Sequence, residues 1–573
     1  MKFINHIYAH INRIAANHKI LFYTFLGILM FTNTILLFTE PMNVPAKFAF
    51  ILLPLGVQMF LLAAINRPGL IFLILLPKSI LDAFQLVLIK LYGGSIIAVD
   101  MFLNVVTTNP SEAGELLSNI APVIIFLLII YIPAIIFSVR SLKKNSRTYE
   151  PFMARCRKTA CAITLVGFVF FCIAQYSKNG FYVKYDLYPL NVMYNLDFAV
   201  KKWEKIANVK ETSREFSYNA HRENNNNGND GKREIYVLVI GETARAENWG
   251  LYGYTRKTTP HLDTLQNLVV FRDALTQSNT THKSVPMLLT PSDADDHELL
   301  YRCKSVVTLF KEAGFRTAYL TNHSYRQTFM ENYFNEADIA ISFKDENNDG
   351  YDYAMADSLE SILRRDTLSN LFVVMHIYGS HFNYHQRYNK NFAKFVPDIA
   401  EVISPKYKQE LINSYDNTIL STDFVLNGII EKIRRENVCS TVLYASDHGE
   451  DLMDDRRKRF LHASPIPTFY QLHVPFVIWF SDSYKTVYAN RYNSAVSNSE
   501  TPVSTNRCIF HTLGNMAGIS SEYLDESLSV CSDNFRIEKR KYLTDHDGSI
   551  PIDELLLTKY DYEQFKTMGI TLH

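Results

Sequence analysis

The sequence predicts two unlike domains: five transmembrane helices, followed by a three-layer α/β domain with a largely parallel sheet. The chain has 573 residues, more than the roughly 250–300 that one hydrophobic core usually serves. Residues 20–177 are strongly apolar, whereas residues 178–573 have the composition of a water-soluble domain. In that second part, short apolar runs alternate with helical patterns, which is typical of α/β folds. The predicted boundaries are 1–177 for the transmembrane domain, 178–231 for an amphipathic connector and flexible linker, and 232–573 for the α/β domain.

Five apolar runs are long enough, at about 17–22 residues, to cross about 30 Å of hydrocarbon. They are Ile20–Phe38, Phe48–Ile65, Gly69–Ile89, Ala121–Val139 and Thr159–Gln175. Basic residues precede the first run, follow the second and separate the fourth from the fifth. Such residues mark cytoplasmic segments. An odd number of spans then places the second domain on the exported side of the membrane.

Two charged residues lie inside the third predicted span. Lys78 and Asp82 are one helical turn apart, where charges are costly unless they are paired or functional. An internal ion pair and a contact to a lipid headgroup are the two interpretations.

The chain has 58 basic and 58 acidic residues. This zero net charge gives no electrostatic argument for nucleic acid as a partner.

Four cysteines lie beyond the membrane part. An even number in an oxidising compartment permits two disulfides, and Cys508–Cys531 is the preferred pair. Four buried free thiols are the alternative. The four are Cys303, Cys439, Cys508 and Cys531.

Strands and helices alternate in the second domain. The predicted strands are Tyr236–Ile240, Thr317–Leu320, Leu371–Met375, Thr441–Ala445 and Pro475–Phe480. The predicted helices are Ser305–Lys311 and Tyr415–Glu436. In open parallel sheets the active site lies at the carboxyl ends of the strands, so polar residues that directly follow strands are the candidates.

Four polar clusters lie at or near such strand ends. One of them alone would be weak evidence, because a lone Glu or His there is more often a cap or a satisfied surface residue. Together, a carboxylate pair and an imidazole form a ligand set suited to Zn²⁺ or Mn²⁺. A Thr hydroxyl beside such an ion would become a nucleophile at neutral pH. The clusters contain Glu242 in "VIGET", His376 and His381 in "VVMHIYGSHFNYH", Asp447 and His448 in "LYASDHGED", and His462 in "RFLHASP", and a hydroxyl-rich loop adds "SNTTHKSVP".

The motifs "GETAR…GYTRKTTPHL", "GSHFNYHQRY", "NSYDNTILSTDFVL" and "SDHGED" together resemble the phosphoethanolamine transferases of bacterial lipopolysaccharide. These enzymes belong to the alkaline phosphatase/sulfatase superfamily. The resemblance extends to the membrane part, through its five spans and the segment "DMFLNVVTTNPSEAGELL" between spans three and four. It implies a sandwich of the alkaline phosphatase/sulfatase type for the second domain.

The resemblance also implies a site. Glu242, Asp447 and His448 correspond to zinc ligands, and Thr281, five residues before Pro286, corresponds to a residue that is both ligand and nucleophile. One zinc ion is tightly held and a second is an open question, with Mn²⁺ less favoured. His381 and His462 match positions that bind a second metal or the substrate phosphate. Weaker candidates for substrate contacts are His376, Arg326 and Lys283.

By the same resemblance, the chain is expected to transfer phosphoethanolamine from phosphatidylethanolamine to lipopolysaccharide, through a covalent intermediate on Thr281. The acceptor, a lipid A phosphate or a core sugar, stays open. The expected protein is a monomer in the bacterial inner membrane with its catalytic domain in the periplasm. A phosphoglycerol transferase of the lipoteichoic-acid or glucan type is the alternative. "NTTHKSVP" lacks the C/S-x-P-x-R pattern of sulfatases, which argues against sulfate ester hydrolysis.

Overall fold

The computed structural model describes residues 17–40, 42–92, 96–107, 110–143, 147–176, 186–222, 232–325, 328–344 and 350–572. The chain forms two compact units, Met1–Val200 and Lys201–His573. The predicted flexible joint at 224–231 lies outside the described residues.

The first unit is helical. Its helices are His18–Thr39, Val44–Ala63, Pro68–Ile74, Leu76–Tyr92, Val99–Thr107, Pro110–Lys143 and Glu150–Gln175, and Leu190–Thr212 begins within it. In the described part of the chain, four helices are long and apolar enough to span a membrane, or up to five if one bent pair is a single span. The chain is therefore a multi-pass membrane protein.

The third predicted span, Gly69–Ile89, is a pair of helices and not one continuous helix. The segments Pro68–Ile74 and Leu76–Lys90 meet at an angle of 60°. Pro77 explains the break, because proline donates no backbone hydrogen bond and its ring clashes with the preceding turn. The other four predicted spans form unbroken helices.

Glycines allow two of these helices to approach closely. A Cβ added to Gly56 would lie 2.9 Å from the backbone nitrogen of Thr164, and one added to Gly167 would lie 2.9 Å from that of Leu53. Small residues at such crossings are typical of helix packing in membranes.

The structure resolves the two interpretations of Lys78 and Asp82 in favour of an ion pair. Lys78 Nζ donates to the two carboxylate oxygens of Asp82 at 2.8 and 2.7 Å and to the carbonyl oxygen of Leu29 at 2.6 Å. The hydroxyl of Tyr188 donates to Asp82 Oδ1 at 2.7 Å. Both charges are thus satisfied within the first unit.

The second unit is built on a sheet whose strands we label in chain order. Its strands are β1 (Glu234–Gly241), β2 (Leu268–Phe271), β3 (Arg316–Thr321), β4 (Ile339–Ser342), β5 (Leu371–His376), β6 (Cys439–Ser446) and β7 (Phe476–Phe480). Their order is β2-β7-β6-β1-β5-β3-β4. Only β7 runs antiparallel to its neighbours β6 and β2. The largely parallel sheet is confirmed, and each of the five predicted strands is present.

Helices and short ribbons surround this sheet. The helices are Thr281–Leu289, Val306–Glu312, Met330–Phe334, Tyr353–Arg365, Lys408–Arg435, Phe469–Leu472, Asp482–Val487, Ala489–Asn498, Thr505–Met516 and Lys559–Met568. The short strands are His221–Arg222, Ala274–Leu275, Asp451–Leu452, Phe460–Leu461, Val503–Ser504, Ile519–Ser520, Lys541–Leu543 and Ser549–Pro551.

The preferred disulfide between Cys508 and Cys531 is wrong. Cys508 and Cys531 form no disulfide. Both residues are packed inside the main hydrophobic core of the second unit, where burial raises the pKa of each thiol. Buried neutral thiols are inert packing groups, which is the alternative that the sequence had left open.

Breaking the membrane ion pair tests its structural role. We expect Lys78→Met to destabilise the protein by about 3 kcal/mol, because it leaves the Asp82 carboxylate buried without its cation. The double variant Lys78→Met/Asp82→Leu should recover most of the loss, since it removes both charges. Melting temperatures in detergent measure this. Equal losses in the single and double variants would contradict a stabilising ion pair.

Candidate metal centre and active site

Glu242 is the first residue after the central strand β1, and its side chain is only 1% exposed. Its backbone carbonyl accepts a hydrogen bond from the Ser380 N–H at 3.0 Å, and the Thr243 hydroxyl donates to Oε1 at 2.7 Å. Burial, and then the nearby Asp447 carboxylate, raise the pKa of Glu242 well above its ordinary value. An ionised carboxylate at this position therefore needs a cation close by.

Asp447 and His448 follow the neighbouring strand β6. Asp447 Oδ1 accepts hydrogen bonds from the backbone N–H groups of Thr243 at 3.0 Å and of His448 at 2.7 Å. Asp447 Oδ2 is buried and has no hydrogen-bond partner among the described residues. His448 Nε2 lies 3.3 Å from that oxygen. Since His448 Nδ1 lies 3.0 Å from the Gly449 carbonyl oxygen, Nδ1 carries the proton and Nε2 presents its lone pair.

Thr281 begins the helix Thr281–Leu289 and faces the same point. Its Oγ1 lies 3.2 and 3.3 Å from the two Glu242 carboxylate oxygens and 3.1 Å from His448 Nε2. The helix is fixed there because the Ser284 hydroxyl donates to the Asp447 carbonyl at 2.6 Å. The preceding Thr280 has its hydroxyl 3.2 Å from that of Ser278 instead.

These four residues could hold a zinc ion. Two carboxylates, one imidazole nitrogen and one hydroxyl are the ligand types that Zn²⁺ accepts. The unpartnered Asp447 Oδ2 gives an independent reason, because a buried oxygen without a donor is costly. The donor set and the orphaned oxygen both fit the metal that the sequence predicts.

His462 and His381 lie at the edge of this centre. The His462 ring is 4.1 Å from that of His448, and its Nδ1 is 3.2 Å from Glu450 Oε1. His381 Nδ1 is 2.6 Å from the carbonyl oxygen of Phe382. Burial lowers the pKa of His448 and His462 to about 4. Burial and the nearby Arg387 charge lower that of His381. These imidazoles are therefore neutral at pH 7.

One neighbour of Glu242 was missed in the sequence. His323 Nε2 lies 4.0 Å from Glu242 Oε2, and its ring stacks on that of His376 at 4.0 Å. His376 Nε2 lies 3.8 Å from the same oxygen. His323 stands two residues after β3, so the same signal of a polar residue after a strand could have found it.

Two weaker candidates for substrate contacts, Lys283 and Arg326, are not found at this centre among the described residues. Lys283 Nζ donates to the Thr544 carbonyl at 2.9 Å and lies 3.8 Å from Asp547 Oδ1. Arg326 lies outside the described residues.

Unusual backbone conformations cluster around the centre. Thr243, Leu461 and Ala463 have φ angles of 61°, 66° and 62°, in the left-handed region that side chains rarely adopt. Thr243 follows Glu242, and the other two flank His462. Such conformations are often found at functional sites, where the surroundings enforce them.

The comparisons with known proteins match both units. The profile described as Sulfatase matches residues 234–519, and the one described as phosphoethanolamine transferase EptA/EptB matches residues 49–203. The Kdo(2)-lipid A phosphoethanolamine 7''-transferase of Escherichia coli K12 is 30% identical over 255 residues, covering 43% of this chain and 44% of the relative. The phosphoethanolamine transferase EptA of the same strain is 28% identical over 316 residues, covering 53% of this chain and 57% of the relative. The matched part spans about half the length of these curated relatives.

Solved structures agree with the fold. The periplasmic domain of EptC from Escherichia coli, solved in complex with Zn, is 26% identical with a TM-score of 0.53 and covers 59% of this chain and 96% of that chain. The integral membrane protein EptA from Neisseria meningitidis is 21% identical with a TM-score of 0.67. It covers 91% of this chain and 98% of that chain, which shows that the fold is shared across both units.

The fold and the site define a membrane-anchored member of the alkaline phosphatase/sulfatase superfamily. Within it, the chain is similar to the phosphoethanolamine transferases EptA/EptB, whose profile matches residues 49–203.

Gly379 offers a test of how Glu242 is positioned. It has a φ of +48°, and an added Cβ would lie 2.9 Å from the Glu242 carbonyl oxygen. We expect Gly379→Ala to displace Glu242 and weaken zinc binding at least tenfold. Gly253→Ala is the matched control, because Gly253 also has a positive φ, of +94°, but open space around its Cβ position. Zinc affinity by competition with a chelator is the measurement. Equal affinities for both variants would refute the steric argument.

Asp451 should make the stability of the second unit depend on pH. Burial raises its pKa to about 7, so the folded state holds a proton that the unfolded state releases near pH 4. The resulting stabilisation is present below about pH 4 and is lost as the pH rises through 7. It amounts to about 4 kcal/mol for a shift of about three pKa units.

The melting temperature of the parent should therefore fall between pH 4 and pH 8. In the variant Asp451→Asn, which has no carboxyl group to titrate, this fall should be absent. Asp366→Asn is the control, because hydrogen bonds from Ser369 and Arg316 lower the pKa of Asp366. Asp366 is thus ionised in both the folded and the unfolded protein above about pH 5. In that range the melting temperature of Asp366→Asn should depend on pH as that of the parent does. Parallel curves for the parent and Asp451→Asn would contradict the assignment.

Proposed function

We propose that the chain transfers phosphoethanolamine from phosphatidylethanolamine to lipopolysaccharide, at a lipid A phosphate or a core sugar. One observation carries the proposal: the Thr281 hydroxyl lies within 3.3 Å of both Glu242 oxygens and of His448 Nε2. The match of residues 49–203 to the EptA/EptB profile and the Zn complex of the similar EptC domain support it.

The reaction consists of two displacements at phosphorus. Thr281 Oγ1 attacks the phosphodiester of the donor, the bond from phosphorus to the diacylglycerol oxygen breaks, and diacylglycerol leaves with a proton. Phosphoethanolamine remains bound to Thr281. An acceptor oxygen then attacks the same phosphorus, and Thr281 leaves and regains its proton.

The residues of the site prepare these steps. Glu242 and His448 both contact the Thr281 hydroxyl and can orient it and accept its hydrogen bond. Zinc bound by Glu242, Asp447, His448 and Thr281 would lower the pKa of the hydroxyl and polarise the phosphoryl group. We assign the phosphoryl oxygens, or a second ion, to the neutral imidazoles of His381 and His462.

The proposed setting is the bacterial inner membrane, with the second unit in the periplasm and the protein acting as a monomer. Both lipids are then reached from the membrane that holds the enzyme. The match of residues 49–203 to the EptA/EptB profile favours phosphoethanolamine over phosphoglycerol as the transferred group.

Replacing the nucleophile tests the proposal. We expect Thr281→Ala to reduce transfer by a factor on the order of a hundred or more, since it removes the proposed nucleophile. Mass spectrometry of lipid extracts, following the added phosphoethanolamine, is the measurement. Thr280→Ala is the matched control, because its hydroxyl faces Ser278, and it should keep transfer. Unchanged modification by Thr281→Ala would rule out this mechanism.

A further inference from the structure

Arg387 holds the chain segment that carries His381. Its guanidinium Nε donates to the His381 carbonyl oxygen at 2.9 Å, and Nη2 of the same group donates to the Phe382 carbonyl oxygen at 2.8 Å. One planar group, whose donors form a rigid fork, thus binds two consecutive carbonyls. The backbone that leads out of His381 is therefore fixed relative to Arg387.

The Phe382 carbonyl oxygen also orients the His381 imidazole. His381 Nδ1 lies 2.6 Å from this oxygen. A carbonyl oxygen only accepts hydrogen bonds and can accept two of them, so Nδ1 carries the proton and Nε2 presents its lone pair. The oxygen that selects the tautomer of His381 is the same oxygen that Arg387 holds in place.

The Tyr378 ring joins these two side chains a second time. The His381 ring stacks on it at 4.8 Å, with an angle of 16° between the planes. Arg387 Cζ lies 4.5 Å from the centre of the Tyr378 ring, within the range of a cation–π contact. Tyr378 is 3% exposed, and its N–H donates to Asp352 Oδ1 at 2.7 Å. The aromatic support of the imidazole is therefore itself fixed.

We propose that Arg387 is a positioning residue, which keeps His381 directed at the reacting phosphoryl group without contacting that group itself. This role rests on the proposed function, because that function assigns the phosphoryl oxygens or a second ion to His381. A lysine at position 387 would keep the positive charge, but its ammonium group is a point charge without a planar fork. It would therefore not bind both carbonyls in the same geometry.

The test is a double-mutant cycle on the full chain in detergent, with phosphatidylethanolamine as donor and lipopolysaccharide as acceptor. Arg387→Lys should lower kcat about tenfold and change KM less than about threefold, since a displaced group in the site costs rate after the substrate has bound. His381→Gln should lower kcat at least as much. The double variant Arg387→Lys/His381→Gln should be no slower than His381→Gln alone, because residues that act as one unit are not additive.

Arg233→Lys is the matched control. Arg233 also donates Nε and Nη2 to two backbone carbonyls, those of Ser369 at 3.0 Å and Asp366 at 2.6 Å. It precedes β1, whose opposite end leads to Glu242, so its variant should keep the kcat of the parent. Circular dichroism and melting temperatures establish that each variant is folded. If Arg387→Lys does not fold, Arg387→Gln takes its place in the cycle.

The other outcomes overturn the positioning role in distinguishable ways. A kcat of Arg387→Lys equal to that of the parent refutes it, and so does an equal loss in Arg233→Lys. Losses that multiply in the double variant show that Arg387 acts independently of His381, which refutes it as well. If the parent transfers no phosphoethanolamine, the proposed function fails, and crystal structures of the parent and of Arg387→Lys decide the positioning alone. A His381 ring that turns or shifts in the variant supports the role, and an unmoved ring refutes it.

Discussion

The structure of the second unit depends on how it tolerates two carboxylates that are buried side by side. Glu242 and Asp447 follow adjacent parallel strands whose last residues, Gly241 and Ser446, are in register. Backbone N–H groups stabilise Asp447 Oδ1, but Asp447 Oδ2 has no donor among the described residues. Two like charges out of water are strongly unfavourable without a cation. Folding of this region and metal binding should therefore be coupled.

The sheet gives this centre its geometry. Because β1 runs parallel to both β5 and β6, Glu242 and Asp447 lie side by side just beyond the strand ends, and Ile377 lies one residue earlier, level with Gly241. The helix that starts at Thr281 is not free to move, since the Ser284 hydroxyl is bonded to the Asp447 carbonyl. Thr281, Glu242, Asp447 and His448 thus belong to one hydrogen-bonded frame, and such a frame can hold reacting groups at fixed distances.

Much of this could be predicted from sequence, for reasons that particular residues make clear. Runs such as 237–240 are buried on both faces and therefore appear in the sequence as continuous apolar segments. The polar residues that follow them indicate where each strand ends. The short strands β2 and β4 were not, because Leu268–Phe271 and Ile339–Ser342 carry too few residues to show a pattern. The bend at Pro77 was overlooked in an otherwise apolar run. Whether Cys508 and Cys531 form a disulfide, and how closely His323 approaches Glu242, depend on distances in space, which spacing along one chain does not determine.

Buried polar groups in the described residues differ in whether they have hydrogen-bond partners within the protein, and this difference helps to distinguish structural groups from those of the candidate site. Asp82 in the first unit receives donors from Lys78 and Tyr188. In the second unit, Asp352 accepts hydrogen bonds on both oxygens. The carboxylates of Asp82 and Asp352 have hydrogen-bond partners within the protein and need no ligand, so their role is structural. Asp447 Oδ2 and His376 Nε2 are equally buried yet lack a partner among the described residues, and both point at the Glu242 neighbourhood. Other buried atoms, such as Trp249 Nε1 and Trp479 Nε1, also lack a partner, but these two converge on one buried carboxylate. A buried polar atom without a partner calls for an explanation such as a bound ion, and this convergence is the physical reason to place the chemistry there.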